Sequence, residues 1–329
     1  DYNTGLGYLA LSADTLGSTS VAVGAFTLRD QNLTTATDTF NVAVGYNAGG
    51  DVTTGIQNTL IGGLAGDALT VGNNNTVVGR DALGADTKGS RAVAIGDAAL
   101  QSQNFTTATE NYNVAVGYAA GANVTTGAHN TFVGGQAGDA NTTASSNTGI
   151  GKESLTTNTT GGDNSALGRR SLNSNTTGSS NTALGLETLF ANTTADNNTA
   201  VGTGALTANT TGHSNTAVGS LAGDAITTGD QNVAMGRAAL TALTTGDQNI
   251  AIGVSALEAA TTSSINVAVG PNAGALVTTG TKNVLIGSQA GDSITEGSNN
   301  TIVGAESDVA AAGNDNVIVL GQASCYQHW

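Results

Sequence analysis

The sequence predicts an all-β protein, a parallel β-solenoid of about 19 coils, and three observations carry that prediction. A pentapeptide of the form Asn-Thr/Val-Ala-Val/Ile-Gly recurs along the chain. Its closing glycine advances from Gly7 to Gly321 in 18 intervals, of which 16 are 17 residues and two are 21. The composition, with 51 Thr, 34 Asn and 47 Gly against one Pro and 4% aromatic residues, disfavours helices and a core of large side chains. Within each pentapeptide the apolar residues alternate with period two, as in a strand.

Each column of the repeat has a physical reason. The second and fourth pentapeptide positions, such as Val42 and Val44, share one strand face, and the middle residue, such as Ala43, points the other way. The expected arrangement turns the Val and Ile columns, Val201 among them, into the coil and leaves the Ala column, Ala200 among them, as a small-residue stripe outside. Gly45, Gly117 and Gly202 close their copies at a position expected to need positive φ or close backbone approach. A second glycine after Thr-Thr, as at Gly55, Gly127, Gly178 and Gly246, marks another corner, giving two short strands and two corners per coil. Stacking at the ~4.8 Å strand spacing puts Asn58, Asn75, Asn130 and Asn147 above one another as an amide ladder, in a rod of about 90 Å.

The array fills residues 1–321 as one domain with no linker. It begins with Asn3 already in the first column, as in a piece of a longer fibre, and residues 322–329 leave the repeat as a C-terminal cap or the start of a next module. Lone Cys325 has no partner within the chain for a disulfide. A net charge of −15, with 9 Lys and Arg against 24 Asp and Glu, argues against nucleic acid as a partner. No apolar run reaches the roughly 20 residues of a membrane-spanning helix, so no membrane insertion of this segment is expected.

The search for chemistry yields no catalytic residues, no cofactor-binding or metal-binding residues, and the expectation that the protein is not an enzyme. His129, His213 and His328 share no metal-ligand spacing, and Ser214 beside His213 points to the opposite strand face. The Ala-Gly-Asp steps at Asp67, Asp139, Asp224 and Asp292 read as turn caps, with weak cation binding as the alternative. Asn-x-Thr sequons such as Asn158 and Asn209 arise from the repeat itself and predict no glycan.

The pentapeptides Asn-Val-Ala-Val-Gly, Asn-Thr-Ala-Val-Gly and Asn-Ile-Ala-Ile-Gly resemble the head repeats of YadA-like trimeric autotransporter adhesins. The longer string from Asn181 to Thr194 is similar to repeats of phage tail fibres. The resemblance covers Asn3 to Gly321 and implies a homotrimer of left-handed parallel β-rolls, extracellular, on a virion tail fibre or a cell surface, in which the segment is the shaft or head of an attachment fibre. Sparse large apolar groups in each coil independently call for burial between subunits. The outward Ala column is the expected interface.

The two long coils, Gln31 to Tyr46 and Gln103 to Tyr118, match each other at a separation of 72 residues. Solenoids expel insertions on one face, often the binding face. Both insertions are therefore expected either to protrude, with Asp38, Phe40, Glu110 and Tyr112 near their bases as candidate contacts for a cell-surface glycan or protein receptor, or, with equal weight, to widen the coil locally without contacts. The rival class is an ice- or crystal-binding solenoid, motivated by the Thr column through Thr125, Thr142, Thr159, Thr176, Thr193, Thr210, Thr227 and Thr244.

Overall fold

The computed structural model describes residues 2–321, and the chain divides into two compact units, Asp1–Asn164 and Ser165–Trp329. No helix occurs among the described residues, and the expected cap or next module at 322–329, with Cys325, lies outside them.

The first unit is a parallel β-solenoid of nine coils, each contributing one strand of three residues: Thr4–Leu6, Val21–Val23, Val42–Val44, Thr59–Ile61, Thr76–Val78, Val93–Ile95, Val114–Val116, Thr131–Val133 and Thr148–Ile150. Successive strands pair without slippage, so Ala43 lies between Ala22 and Leu60, and Ala115 between Ala94 and Phe132. The second unit has ten such coils, from Ser165–Leu167 through Thr199–Val201 to Ile318–Leu320. There Ala200 lies between Ala183 and Ala217.

Regular coils have one strand each, where the sequence suggested two. Around Thr-Thr-Gly the side chains follow a period of three: Asn192, Ala195 and Asn198 are buried while Thr194 and Asn197 are exposed. Backbone bonds there run alternately to the coil on either side. Thr193 N–H donates to the Thr210 carbonyl and Asn197 N–H to the Ser179 carbonyl, each at 3.1 Å. The left-handed φ of 61° at Asn197 breaks the extended geometry a strand requires.

Facing is the reverse of the expectation. From Val21–Val23 to Thr301–Val303 the middle residue of every three-residue strand is buried, and Ala22, Ala43, Ala115, Ala200 and Ala217 have no exposed surface. Val201 and its column point outward, and Leu184, Met235 and Ile252 remain 42%, 40% and 39% exposed. The reason is volume. In many coils the residue four after the closing glycine fills the interior, as Leu83, Leu100, Leu155, Leu172, Leu189 and Leu206 do with no exposure, and where Gly49, Gly121, Gly223 or Gly274 stands there Val52, Val124, Ile226 and Val277 are the buried residues. Strand residues beside such a Leu are mostly Ala, the size the remaining space takes, and Val77 with Leu83 is the coil in which both positions are larger.

Elsewhere the strand itself carries the large residue. Leu60 and Leu285 enter from their strands where the corner residue is Gly66 or Gly291. Phe132 is the largest fully buried side chain, and Gly138 leaves it room. A Cβ on Gly121 or Gly149 of the adjoining coils would lie 3.1 Å from its ring.

The closing glycines behave as expected. Gly117 and Gly202 have φ of 140° and 124°, and a Cβ on either would stand 2.6 Å from the carbonyl oxygen of the next closing glycine, Gly134 or Gly219. Gly45 is likewise blocked by Gly62.

The Asn column is real, but most of its bonds reach backbone. Asn58 Oδ1 accepts from Asn75 N–H at 3.0 Å, and Asn58 Nδ2 donates to the Gly72 carbonyl at 2.9 Å. Asn130 uses Nδ2 on the Ala144 carbonyl and Oδ1 on Asn147 N–H, at 2.9 and 3.0 Å. Each fully buried Asn thus satisfies backbone groups that the corner would otherwise leave unpaired.

Candidate functional site

The two 21-residue coils belong to the first unit. Their extra residues lie along the solenoid instead of standing clear of it. Thr37–Asp38 pairs in parallel with Gly17–Ser18, and Thr109–Glu110 with Gly89–Ser90, adding a second short strand at these two places. Leu33 and Phe105 are buried beneath the added strands, each only 7% exposed, and act as anchors. Three consecutive residues are exposed at 34–36 and again at 106–108.

A buried polar relay fixes each anchor. In the second copy, Gln103 Nε2 donates to Asp86 Oδ2 at 2.7 Å, and Gln103 Oε1 accepts from Asn113 Nδ2 at 2.8 Å. Asp86 Oδ1 accepts from the N–H groups of Gly89 and Phe105, at 3.0 and 3.1 Å. Gln31 and Asp14 repeat the relay in the first copy. The Asn column is interrupted here by Ala92, and buried Asn111 repairs the gap by accepting from Asn113 N–H at 2.9 Å. The pairs Asp14–Gln31 and Asp86–Gln103 escape notice in a search of the long coils alone. The duplication that reveals them is longer, running from Leu11 to Gly55 and from Leu83 to Gly127.

The expected contact residues are exposed, and the second copy joins them into a ladder. Arg91 Nε lies 2.9 Å from Glu110 Oε1, and Tyr112 Oη donates to Glu110 Oε2 at 2.8 Å. The Arg91 guanidinium sits 5.7 Å from the centroid of the Tyr112 ring, and the His129 ring stacks on Tyr112 at 5.7 Å with planes 15° apart. The Tyr112 hydroxyl and the Arg91 guanidinium hold the Glu110 carboxyl below its ordinary range, and that carboxylate raises the Tyr112 phenol. In the first copy Asp38 Oδ1 accepts from Ser18 Oγ at 2.9 Å, and Phe40 N–H donates to Thr19 Oγ1 at 3.3 Å. Phe40 is 55% exposed and Tyr112 46%.

Other sequence features resolve into structural parts. His213 Nδ1 accepts from Asp196 N–H at 3.0 Å, while His213 N–H donates to Asp230 Oδ1 at 2.6 Å, so this histidine is one rung of a side-chain-to-backbone column. The Ala-Gly-Asp carboxylates are on separate coils. Burial raises Asp67 and Asp139 above the ordinary carboxylate range, and at Asp67 the charges of Asp81 and Asp51 add to it. Among the described residues no group of three or more His, Cys, Asp or Glu is placed to hold a metal ion. Thr176, Thr193, Thr210 and Thr227 each donate their hydroxyl to the carbonyl of the next coil, at 2.9 to 3.1 Å. Asn158 and Asn209 are buried and donate to the carbonyls of Gly161 and Gly212.

No protein-family model matches this chain, and no curated protein matches it.

Proposed function

We propose that this segment belongs to an extracellular attachment fibre, on a virion tail or a cell surface, assembled as a parallel homotrimer and carrying its receptor contacts on the long coils of the first unit. One observation supports this above all. The third strand position is Leu, Val, Ile or Met in all 19 coils, from Leu6 to Leu320, although it faces outward. The first strand position faces the same way and mixes Thr, Ser, Val and Ile.

A sheet face meant for water does not require an aliphatic residue in every coil, whereas a face covered by protein does. The cover fits a second and third copy of the same chain, because parallel copies present the same column at the same spacing and a three-fold arrangement closes without open ends. The proposed interface is therefore this aliphatic column. The buried Ala column is excluded from that role by its position.

The ice-binding alternative weakens for a related reason: the Thr column that suggested it donates its hydroxyls to neighbouring backbone, leaving that donor unavailable to an ice surface.

Two substitutions test the assignment. Ala200→Asp buries an unpaired carboxylate and is expected to cost at least ~3 kcal/mol and unfold its region. Val201→Asp leaves the secondary structure by circular dichroism intact and separates the subunits in sedimentation. If Val201→Asp keeps the wild-type mass, the column is not the interface.

A further inference from the structure

The long coils place their rings in a column that continues between them. From Thr19 onward the residue preceding the Asn position has left-handed φ in each coil, and from one insertion to just past the other it is Phe40, Gln57, Asn74, Arg91, Tyr112 and His129, with φ between 50° and 65°. All six are exposed. Each side chain ends in a flat group: a ring, an amide or a guanidinium. Backbone bonds hold the column in register, with Gln57 N–H on the Thr39 carbonyl, Asn74 N–H on Ile56 and Arg91 N–H on Asn73, at 2.7 to 3.1 Å. Five coil steps at the ~4.8 Å spacing make a track about 24 Å long.

We infer that this column binds a linear, neutral polysaccharide laid parallel to the solenoid axis of the first unit. The inference rests on the attachment reading above and names the receptor chemistry. The exposed Phe40 ring offers a flat apolar face to the C–H face of a sugar ring, and Tyr112, flanked by Arg91 and His129, presents its ring edge at the other end of a run of five coils. Between them the amides of Gln57 and Asn74 donate and accept, matching sugar hydroxyls, which do both. Asp38 and Glu110, each two residues before a ring, supply carboxylate acceptors. Arg91 is neutralised by Glu110 at 2.9 Å, so the track has no unpaired cation to attract an acidic polymer. The chain's net charge of −15 opposes one as well. Periodicity argues for a polymer over a single sugar, since flat groups recurring once per coil suit a ligand that also repeats.

Isothermal titration of the full chain with cellohexaose, chitohexaose, cellobiose and a hexamer of galacturonic acid tests this. At least one neutral hexamer is expected to bind ten-fold or more tightly than cellobiose. Phe40→Ala and Tyr112→Ala should each weaken that binding at least five-fold, Tyr112→Trp should retain it, and Gln231→Ala, in the same column of the second unit, should leave it unchanged. Binding that is absent for both neutral hexamers, equal for hexamer and dimer, strongest for the acidic hexamer, or indifferent to Phe40→Ala and Tyr112→Ala overturns the inference. A parallel cell-attachment assay separates the two readings. Attachment lost in the double variant without sugar binding sinks the polysaccharide and keeps the attachment reading. Sugar binding by a chain that attaches to nothing does the opposite.

Discussion

The two units are built from one repeat and treat it differently. In the second unit every interval between closing glycines from Gly168 to Gly321 is 17 residues, the Asn column runs from Asn181 to Asn300 without a gap, and Phe190 is the sole aromatic among the described residues. The first unit contains both 21-residue coils, interrupts its Asn column with Ser20 and Ala92, and exposes Tyr8, Phe40, Tyr46, Tyr112 and Tyr118. The columns that satisfy the backbone are the same in both units wherever the coils are regular. Departures from the repeat collect where large, exposed, chemically varied side chains are displayed, and each departure brings its own buried support, such as Gln103 on Asp86.

The comparison is sharpest where the units should respond alike. Gly117→Ala and Gly202→Ala, one in each unit, force a Cβ to within 2.6 Å of a neighbouring carbonyl oxygen at positive φ. Each is expected to cost about 3 kcal/mol or more, from backbone strain together with overpacking. Gly63→Ala, where nothing lies within 4 Å of the added Cβ, should change the calorimetric midpoint little. A marked difference between Gly117 and Gly202 would show that the units do not share their packing.

Asn232→Ala in the regular unit removes the acceptor of Asn249 N–H and the donor to the Gly246 carbonyl. Two buried backbone groups lose partners, and a loss of about 2–3 kcal/mol is expected in denaturant titrations. Gln103→Ala in the first unit leaves Asp86 its two backbone donors, so a smaller cost of ~1–2 kcal/mol is expected. Hydrogen exchange should then quicken at 104–111 and remain unchanged across the second unit. Faster exchange in both units would mean that the long coils are not locally supported.

The smallest effect is electrostatic. Burial raises the Asp139 carboxyl above the ordinary 3.8, so its protonated form is favoured in the fold. Its contribution to stability is complete below about pH 3.8 and is lost as pH rises through the raised folded value. Asp139→Asn should therefore raise the melting midpoint slightly at pH 7, and the gain should shrink on acidification and vanish below about pH 3.8. A gain independent of pH would point to packing instead.

Much of the fold was legible because the backbone imposes it. Glycine at Gly117 and Gly202 answers a carbonyl pressed against its Cα, and Asn at Asn58 and Asn130 answers buried peptide groups, so each column keeps one letter. Strand facing was not legible from alternation, which separates two faces without saying which is inside. The deciding residues lay outside the strand, as at Leu100, Leu172, Leu189 and Leu206, whose side chains occupy the interior beside Ala94, Ala166, Ala183 and Ala200. The site was half legible. Phe40 and Tyr112 stood out through the duplication, whereas Gln57, Asn74, Arg91 and His129 share a column defined by left-handed φ and by no common letter. Only the fixed place of that column, one residue before the Asn position, could have drawn attention to them.

The assembly claim has the most direct test. Mass photometry of the wild-type chain should give a single species near three times the 32.1 kDa chain mass, held together by the outward aliphatic column. A mass that stays at 32.1 kDa across the micromolar range, with Leu184, Val201 and Ile252 open to solvent, would contradict it.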